Sequence, residues 1–390
     1  MTENKSLPRS IVILGFVSMF MDISSEMIHG LLPVFLVTVL GASATTVGFI
    51  EGVGEGVALI TRVFSGVVSD WLGKRKAIIV AGYLLATLTK PLFALANSTS
   101  LVFTARTLDR FGKGLRGAPR DALIADLTPS EQRGAAFGLR QSMDSVGAFV
   151  GPLLAVLFMS LMANNFRAVF WIAFIPGVIA VLLLVLFVKE VAPREKHVPT
   201  SPLHRAEIPR LGSAYWRVLG VGVIFTLAKF SEAFLMLRAE DIGLAPNLVP
   251  LMLVILSLVF ALGAYPVGVL SDRIGRHGLL LLGLGILIAA DLVLAFSSNI
   301  YWVFTGAGLW GLHLAFTQGL FSALIADTSP VEVRGTAYGI FGLVTGIAVF
   351  IASVFAGWLW DEYGAYATFV AGAVLSALAL MGFLTMTKTN

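Results

Sequence analysis

Asp22 and Glu26 stand four residues apart in the stretch "MDISSEMIH", residues 21–29, and His29 follows three further on. In a helix these spacings put all three side chains on one face. Two carboxyls one turn apart repel each other when both are charged, which favours a proton on one of them. The chemistry on offer is reversible proton exchange. The surrounding segment, "IVILGFVSMFMDISSEMIHGLLPVFLVTVL", exceeds the roughly 20 mostly apolar residues that cross a bilayer. A carboxylate facing hydrocarbon is costly, so this face must look into protein or water.

A second stretch supplies the opposite charge. "ARTLDRFGKGLR" sets Arg106, Arg110 and Lys113 along one helical stripe, with Asp109 beside it. At a rise of ~1.5 Å per residue, Asp22 lies roughly 16 Å along its segment, and Arg110 reaches a similar depth in a segment running the other way. An arginine that approaches and leaves a carboxyl would cycle its proton. The competing reading is a static ion pair that only joins two helices. Further intramembrane candidates are Glu51 and Glu55 in "EGVGEG", with Arg62 two turns below and Lys90 as an alternative partner. Arg140 and Asp144 are spaced for an internal pair. Lys229 and Glu232 in "LAKFSEAF", and Trp310, His313 and Gln318 in "WGLHLAFTQG", are substrate-contact candidates, whereas Asp291 is an outlier.

The elements that must position these groups are membrane helices. Of 390 residues, 57% are hydrophobic and only 13% charged, whereas a soluble domain carries about 25% charged residues. Apolar runs predict twelve spans, near 11–39, 46–71, 77–96, 100–125, 134–161 and 167–188, then 214–239, 247–271, 278–297, 301–325, 335–359 and 366–386. The chain is read as an all-α membrane protein. Its domains are a first six-helix bundle over 1–188, a charged, proline-bearing cytoplasmic linker over 189–213, and a second bundle over 214–390. Lys and Arg concentrate in alternate loops, which places both termini and the linker in the cytoplasm of a multi-pass cell-membrane protein.

The net charge of +4 comes from short basic runs at helix ends and forms no nucleic-acid-binding stripe. The absence of cysteine removes thiolate nucleophiles and thiolate metal sites. No His-Glu-x-x-His or P-loop pattern occurs, so nothing marks an enzyme, a cofactor or a metal centre.

The two halves repeat. "GVVSDWLGKRK" at 66–76 returns as "GVLSDRIGRHG" at 268–278, and "ALIADLTPSEQRGAAFG" at 122–138 returns as "ALIADTSPVEVRGTAYG" at 323–339, at offsets of 202 and 201. A duplicated six-helix unit is the mark of a pseudo-symmetric transporter. The first block matches the loop 2–3 signature of the major facilitator superfamily through Gly66, Asp70, Gly73, Lys74, Arg75 and Lys76, and Gly268, Asp272, Gly275 and Arg276 form its weaker copy. Arg110 and Gly114 fit the family's Arg-x-x-x-Gly pattern in helix 4. Gly138, Gly147, Gly151 and Pro152 resemble the antiporter signature of helix 5, with Ala155 and Val156 where a glycine pair is usual.

The resemblance implies two pseudo-symmetric bundles, a monomer, and a central cavity lined by helices 1, 4, 7 and 10. It places His29, Glu55, Arg106, Lys113, Lys229, Glu232, Trp310, His313 and Gln318 as substrate contacts, and Asp22, Glu26 and Arg110 as the proton-coupling set. Asp70, Arg75 and Asp126, with Arg133, would lock cytoplasmic helix ends, and Asp272, Arg276, Asp327 and Arg334 would repeat that lock. Gly147 and Gly151 form a small-x-x-x-small packing face, and Pro152 a bend. The implied function is alternating-access, proton-coupled export of a small amphipathic organic solute. The alternatives are uptake of an anionic metabolite or metal chelate, held by Arg106, Arg110 and Lys113, and transport of a cation.

Overall fold

A computed structural model describes residues 7–190, 205–330 and 333–387, and those residues are helical almost throughout, with no strand among them. In chain order the helices are α1 (Arg9–His29), α2 (Leu32–Val34), α3 (Ala44–Leu72), α4 (Arg75–Ala94), α5 (Thr99–Leu127), α6 (Arg133–Leu161) and α7 (Phe166–Phe187). They continue as α8 (Ser213–Ala228), α9 (Ala233–Asp241), α10 (Leu251–Ala295), α11 (Ile300–Thr317), α12 (Leu320–Thr328), α13 (Arg334–Tyr363) and α14 (Ala365–Thr387). Nine segments among the described residues are long and apolar enough to cross a membrane. The rest of the expected twelve are α3 and α5, whose hydropathy is lowered by their ionisable residues, and the α11–α12 pair, interrupted at Gly319.

The breaks have local causes. Pro33 sits where α1 gives way to α2, and one π-type turn, Phe35–Val39, completes the first segment. Lys229 leaves helical geometry at φ −101°, ψ 78°, dividing the seventh segment into α8 and α9. Gly275, at φ 67°, ψ 171°, divides α10 into Leu251–Leu270 and His277–Ala295. Gly73, its counterpart in the first half, makes the α3–α4 turn at φ 61°. Both glycines occupy the left-handed region that other residues avoid.

Two compact units emerge. Unit 1 contains α1, the part of α3 from Ile60 onward, and α4 to α7; unit 2 contains Gly30–Leu59 together with α8 to α14. The α3 helix is therefore shared, a division that the expected boundary at 188 does not contain. Of the linker, the described end forms one 3-10 turn, Arg205–Arg210, and most of 189–213 lies outside the described residues.

In unit 1, α1 packs on α6 and α7 while α4 packs on α5 and α7. Its apolar core joins Ile11, Leu14, Val17 and Met21 to Ile79, Tyr83, Ile124 and Leu184. In unit 2, α10 packs on α11 and α14, and Tyr215, Phe225, Leu284, Phe321 and Phe383 gather in the core. Large apolar side chains such as Trp71, Leu161, Leu186 and Tyr265 are exposed, as a lipid-facing surface requires.

Candidate functional site

The polar interior of unit 1 is built on α1 and α5. Close packing behind α1 fixes the two carboxylates. A Cβ added at Gly147 of α6 would lie 2.7 Å from the Met19 carbonyl and 2.8 Å from the Asp22 Cβ. One added at Gly151 would lie 2.8 Å from the Glu26 Cβ. The small-residue face of α6 thus presses on α1 directly behind Asp22 and Glu26, and Pro152 is buried in the same helix.

The carboxylates differ in their surroundings. His29 Nδ1 donates to Glu26 Oε2 at 3.1 Å, and the imidazole is buried. Asp22 is half-buried and has no hydrogen bond or ion pair among the described residues. Arg110 and Lys113 both lie within electrostatic reach of Glu26, and Lys113 also within reach of Asp22. On the α5 stripe, Arg106 and Arg110 are buried, whereas Lys113 is exposed and makes no hydrogen bond or ion pair among the described residues. The structure thus brings Asp22, Glu26, His29 and Arg110 together in unit 1, with the exposed Lys113 within electrostatic reach.

Asp109 is taken up elsewhere. Lys90 Nζ donates to Asp109 Oδ1 at 2.8 Å and to Ser25 Oγ at 3.1 Å, tying α4 to α5 and α1. Lys90 is therefore not the partner of Glu51 or Glu55. Those two glutamates lie in the part of α3 that belongs to unit 2.

A further network escaped sequence reasoning. Arg120 Nη1 donates to Ser18 Oγ at 2.8 Å and approaches the Tyr83 hydroxyl at 3.5 Å, while the Arg116 guanidinium lies 4.5 Å from the Tyr83 ring centre. Arg140 pairs with Asp144 at 3.0 Å, the internal pair its spacing predicts, and reaches Asp121 at 3.7 Å. Arg62 joins the same Asp121 at 3.1 Å.

At the α3–α4 turn Arg75 bridges Asp70 and Asp126, at 3.2 Å each, so these three residues do form one cluster. A Cβ added at Gly66 of α3 would meet Ala118 of α5 at 3.4 Å, an ordinary contact, so this approach does not itself require a glycine. In the second half, Arg334 Nε donates to the Ala326 carbonyl at 3.1 Å, next to Asp327. The side chains of Asp272 and Arg276 lie outside the described residues, and among the described residues no ion pair or hydrogen bond ties Arg133 into the first cluster.

The unit 2 candidates have different surroundings, although Lys229 lies within electrostatic reach of His313. His313 is fully buried and donates from Nδ1 to the Gly283 carbonyl at 2.7 Å, which locks its ring between helices. Trp310 is buried against Phe230 at 5.4 Å, inside a cluster that includes Phe234, Phe369 and Trp360. Gln318 is exposed beyond α11. Lys229 and Glu232 flank the α8–α9 break without pairing. Glu55 is half-buried on α3. Asp291 is fully buried, with Oδ2 against Gly372, and neither oxygen has a hydrogen-bond partner among the described residues.

The sequence profile of the Major Facilitator Superfamily matches residues 14–238 and 218–389. The chain belongs to that superfamily. The MFS-type transporter MJ1317 of Methanocaldococcus jannaschii is 32% identical over 383 residues, covering 97% of this chain and 94% of the relative. The multidrug resistance protein MdtH of Salmonella typhi is 26% identical over 355 residues, covering 90% and 84%. The solved nucleoside transporter NupG superposes with a TM-score of 0.80 at 12% identity, covering 97% of this chain and all of that one. The human organic anion transporter MFSD10 gives 0.69 at 18%, again with 97% and full coverage. At such identities the last two establish the fold alone. This MFS protein is a multi-pass membrane transporter of small molecules and not an enzyme.

Proposed function

We propose that this protein is a proton-coupled antiporter of the cell membrane that exports a small amphipathic organic solute by alternating access. It acts as a monomer with both termini in the cytoplasm. The observation that carries this reading is the Asp22–Glu26 pair, held on one face of α1 by Gly147 and Gly151 with Arg110 and Lys113 within electrostatic reach. Glu26 already has a partner in His29, whereas Asp22 has none, so Asp22 is the carboxyl free to trade a proton for a substrate group. Similarity to MdtH, a protein named for multidrug resistance, supports outward transport. In the other half, Lys229, Glu232, Trp310, His313 and Gln318 would read substrate shape.

One observation favours a second reading, uptake of an anionic solute. Lys113 is an exposed ammonium on a membrane helix with no ion-pair partner among the described residues, and an anion would neutralise it.

Sealed vesicles carrying a trapped pH dye test both. Amphipathic cations, neutral solutes and organic anions are added in turn, with and without an imposed pH gradient. Solute-driven proton release that Asp22→Asn and Glu26→Gln abolish is the expected result. Solute movement indifferent to both variants removes these carboxylates from coupling, and movement of anions alone, lost in Lys113→Gln, selects the second reading.

A further inference from the structure

Lys90 and Asp291 hold the same place in the two halves. Gly82, Ala94 and Val102-Phe103-Thr104 return 201 residues later as Gly283, Ala295 and Val303-Phe304-Thr305. Ser98 and Asn299, also 201 apart, cap α5 and α11 with their side chains. The packing repeats with the letters. A Cβ added at Gly82 would stand 2.7 Å from the Gly112 carbonyl oxygen, and one at Gly283 3.8 Å from that of His313, the counterpart of Gly112. At this offset Lys90 corresponds to Asp291, and Asp109 to Trp310.

The first half shows what such a crossing holds. The Lys90 ammonium lies between α4, α5 and α1, donating to Asp109 Oδ1 at 2.8 Å and to Ser25 Oγ at 3.1 Å. In the second half the ammonium is gone and a carboxylate stands in its place. Asp291 is fully buried, both its oxygens lack a hydrogen-bond partner, and no charged side chain among the described residues lies within electrostatic reach of it. Two further buried polar atoms of this half, Trp310 Nε1 and Ser376 Oγ, also lack a partner among the described residues. Gly372 brings α14 against the carboxylate. Its added Cβ would lie 2.7 Å from Asp291 Oδ2 and 2.9 Å from Phe230, whose ring centre is 5.4 Å from that of Trp310. Ser376 follows Gly372 by one turn on the same face of α14.

A carboxylate at this depth calls for a counter-charge, from a side chain or from an ion. The described residues supply no such side chain. Carboxylate and hydroxyl oxygens are hard donors, which suit hard cations rather than soft metals. One carboxylate balances one positive charge. The occupant is also small, because not even a methyl group fits between Oδ2 and Gly372. We infer that Asp291, with Ser376, binds a small inorganic monovalent cation, which takes the place that the Lys90 ammonium holds in the first half. The Trp310 N–H would donate to the carboxylate. Such an ion would tie α10 to α14 as Lys90 ties α4 to α5 and α1, whatever the role of Asp22 and Glu26 in coupling.

Purified protein in detergent is melted in choline chloride, and the choline is then replaced by Na+, K+ or NH4+ at constant ionic strength and pH. At least one of the three is expected to raise the melting temperature by about 2–4 °C at saturation, and the one that does so at the lowest concentration identifies the ion. Asp291→Asn, which keeps the shape and removes the charge, should abolish the shift. Ser376→Ala should raise the half-maximal concentration about tenfold, as loss of one ligand oxygen predicts. That variant decides the matter if Asp291→Asn does not fold. A shift that persists in Asp291→Asn places the ion elsewhere and overturns the site, as does a wild-type protein indifferent to all three cations. Stabilisation by acid alone that vanishes in Asp291→Asn overturns it too, because a proton then neutralises the carboxyl.

Discussion

Gly147 of α6 lies directly behind Asp22 of α1: a methyl group on the glycine would come within 2.8 Å of the aspartate Cβ. The same helix repeats the contact one turn on, between Gly151 and Glu26. Any side chain here must push α1 away from α6 and carry the carboxylate with it. Gly147→Leu is therefore expected to lower the melting temperature, by an overpacking cost of about 1–3 kcal/mol, and to depress proton-coupled flux more than the stability loss explains. Flux measured in vesicles at matched folded protein checks this. Normal flux would show that the seam behind Asp22 is only packing.

The Lys90–Asp109 pair is almost fully buried, with side chains 1% and 5% exposed. Removing one partner strands a charge, at about 3–5 kcal/mol. Lys90→Met and Asp109→Leu should each be severely destabilised, while the double variant recovers most of the loss. Melting curves of all four proteins complete the cycle. Additive losses would mean that the pair does not act as a unit.

Asp291 presents the opposite case, a buried carboxyl with no hydrogen-bond partner among the described residues. A buried polar group left without a hydrogen bond costs about 1–3 kcal/mol, which an apolar side chain in its place removes. Asp291→Leu should leave the melting temperature unchanged or raise it. Gly372→Ala should lower it, because its Cβ would meet Asp291 Oδ2 at 2.7 Å and Phe230 at 2.9 Å. Combining it with Asp291→Ala should restore part of that loss. A sharp loss in Asp291→Leu would reveal a partner for this carboxyl.

Arg75 holds Asp70 and Asp126 at the α3–α4 turn, with its side chain 26% exposed. Ion pairs this accessible contribute ~0–1 kcal/mol. Arg75→Gln is expected to shift the melting temperature little and yet cut transport at least tenfold, because the cluster biases one conformation over another. Undiminished transport would leave these residues only their part in orienting the loop.

Much of this was legible in the chain. The repeated blocks and apolar runs announce the twelve segments, because a bilayer demands about 20 apolar residues wherever the chain crosses. The Arg75–Asp70–Asp126 cluster was readable because its residues sit in one duplicated motif. Partnerships across helices were less so. Lys90 faces Asp109 rather than a glutamate of α3 because helix rotation, not spacing, chooses the neighbour. Ser18 and Tyr83 carry no mark that separates them from ordinary residues of an apolar helix, so the Arg120 network stayed hidden. "EGVGEG" draws the eye to its glutamates, whereas its Gly52 and Gly56 pack against the backbone of α13. His313 is a substrate-contact candidate in sequence, and spacing gave no hint that its Nδ1 bonds the Gly283 carbonyl.

Gly73 and Gly275 stand 202 residues apart and share one handedness of turn, at φ 61° and 67°. Gly66, Val67, Ser69 and Asp70 recur in the second copy as Gly268, Val269, Ser271 and Asp272, and the glycine with positive φ recurs with them. An alanine at either corner would incur a strain of about 1–2 kcal/mol before touching any neighbour. Between the copies Asp70 and Lys74 keep their sign in Asp272 and Arg276, Arg75 and Lys76 give way to His277 and Gly278, and the glycine that makes the bend stays.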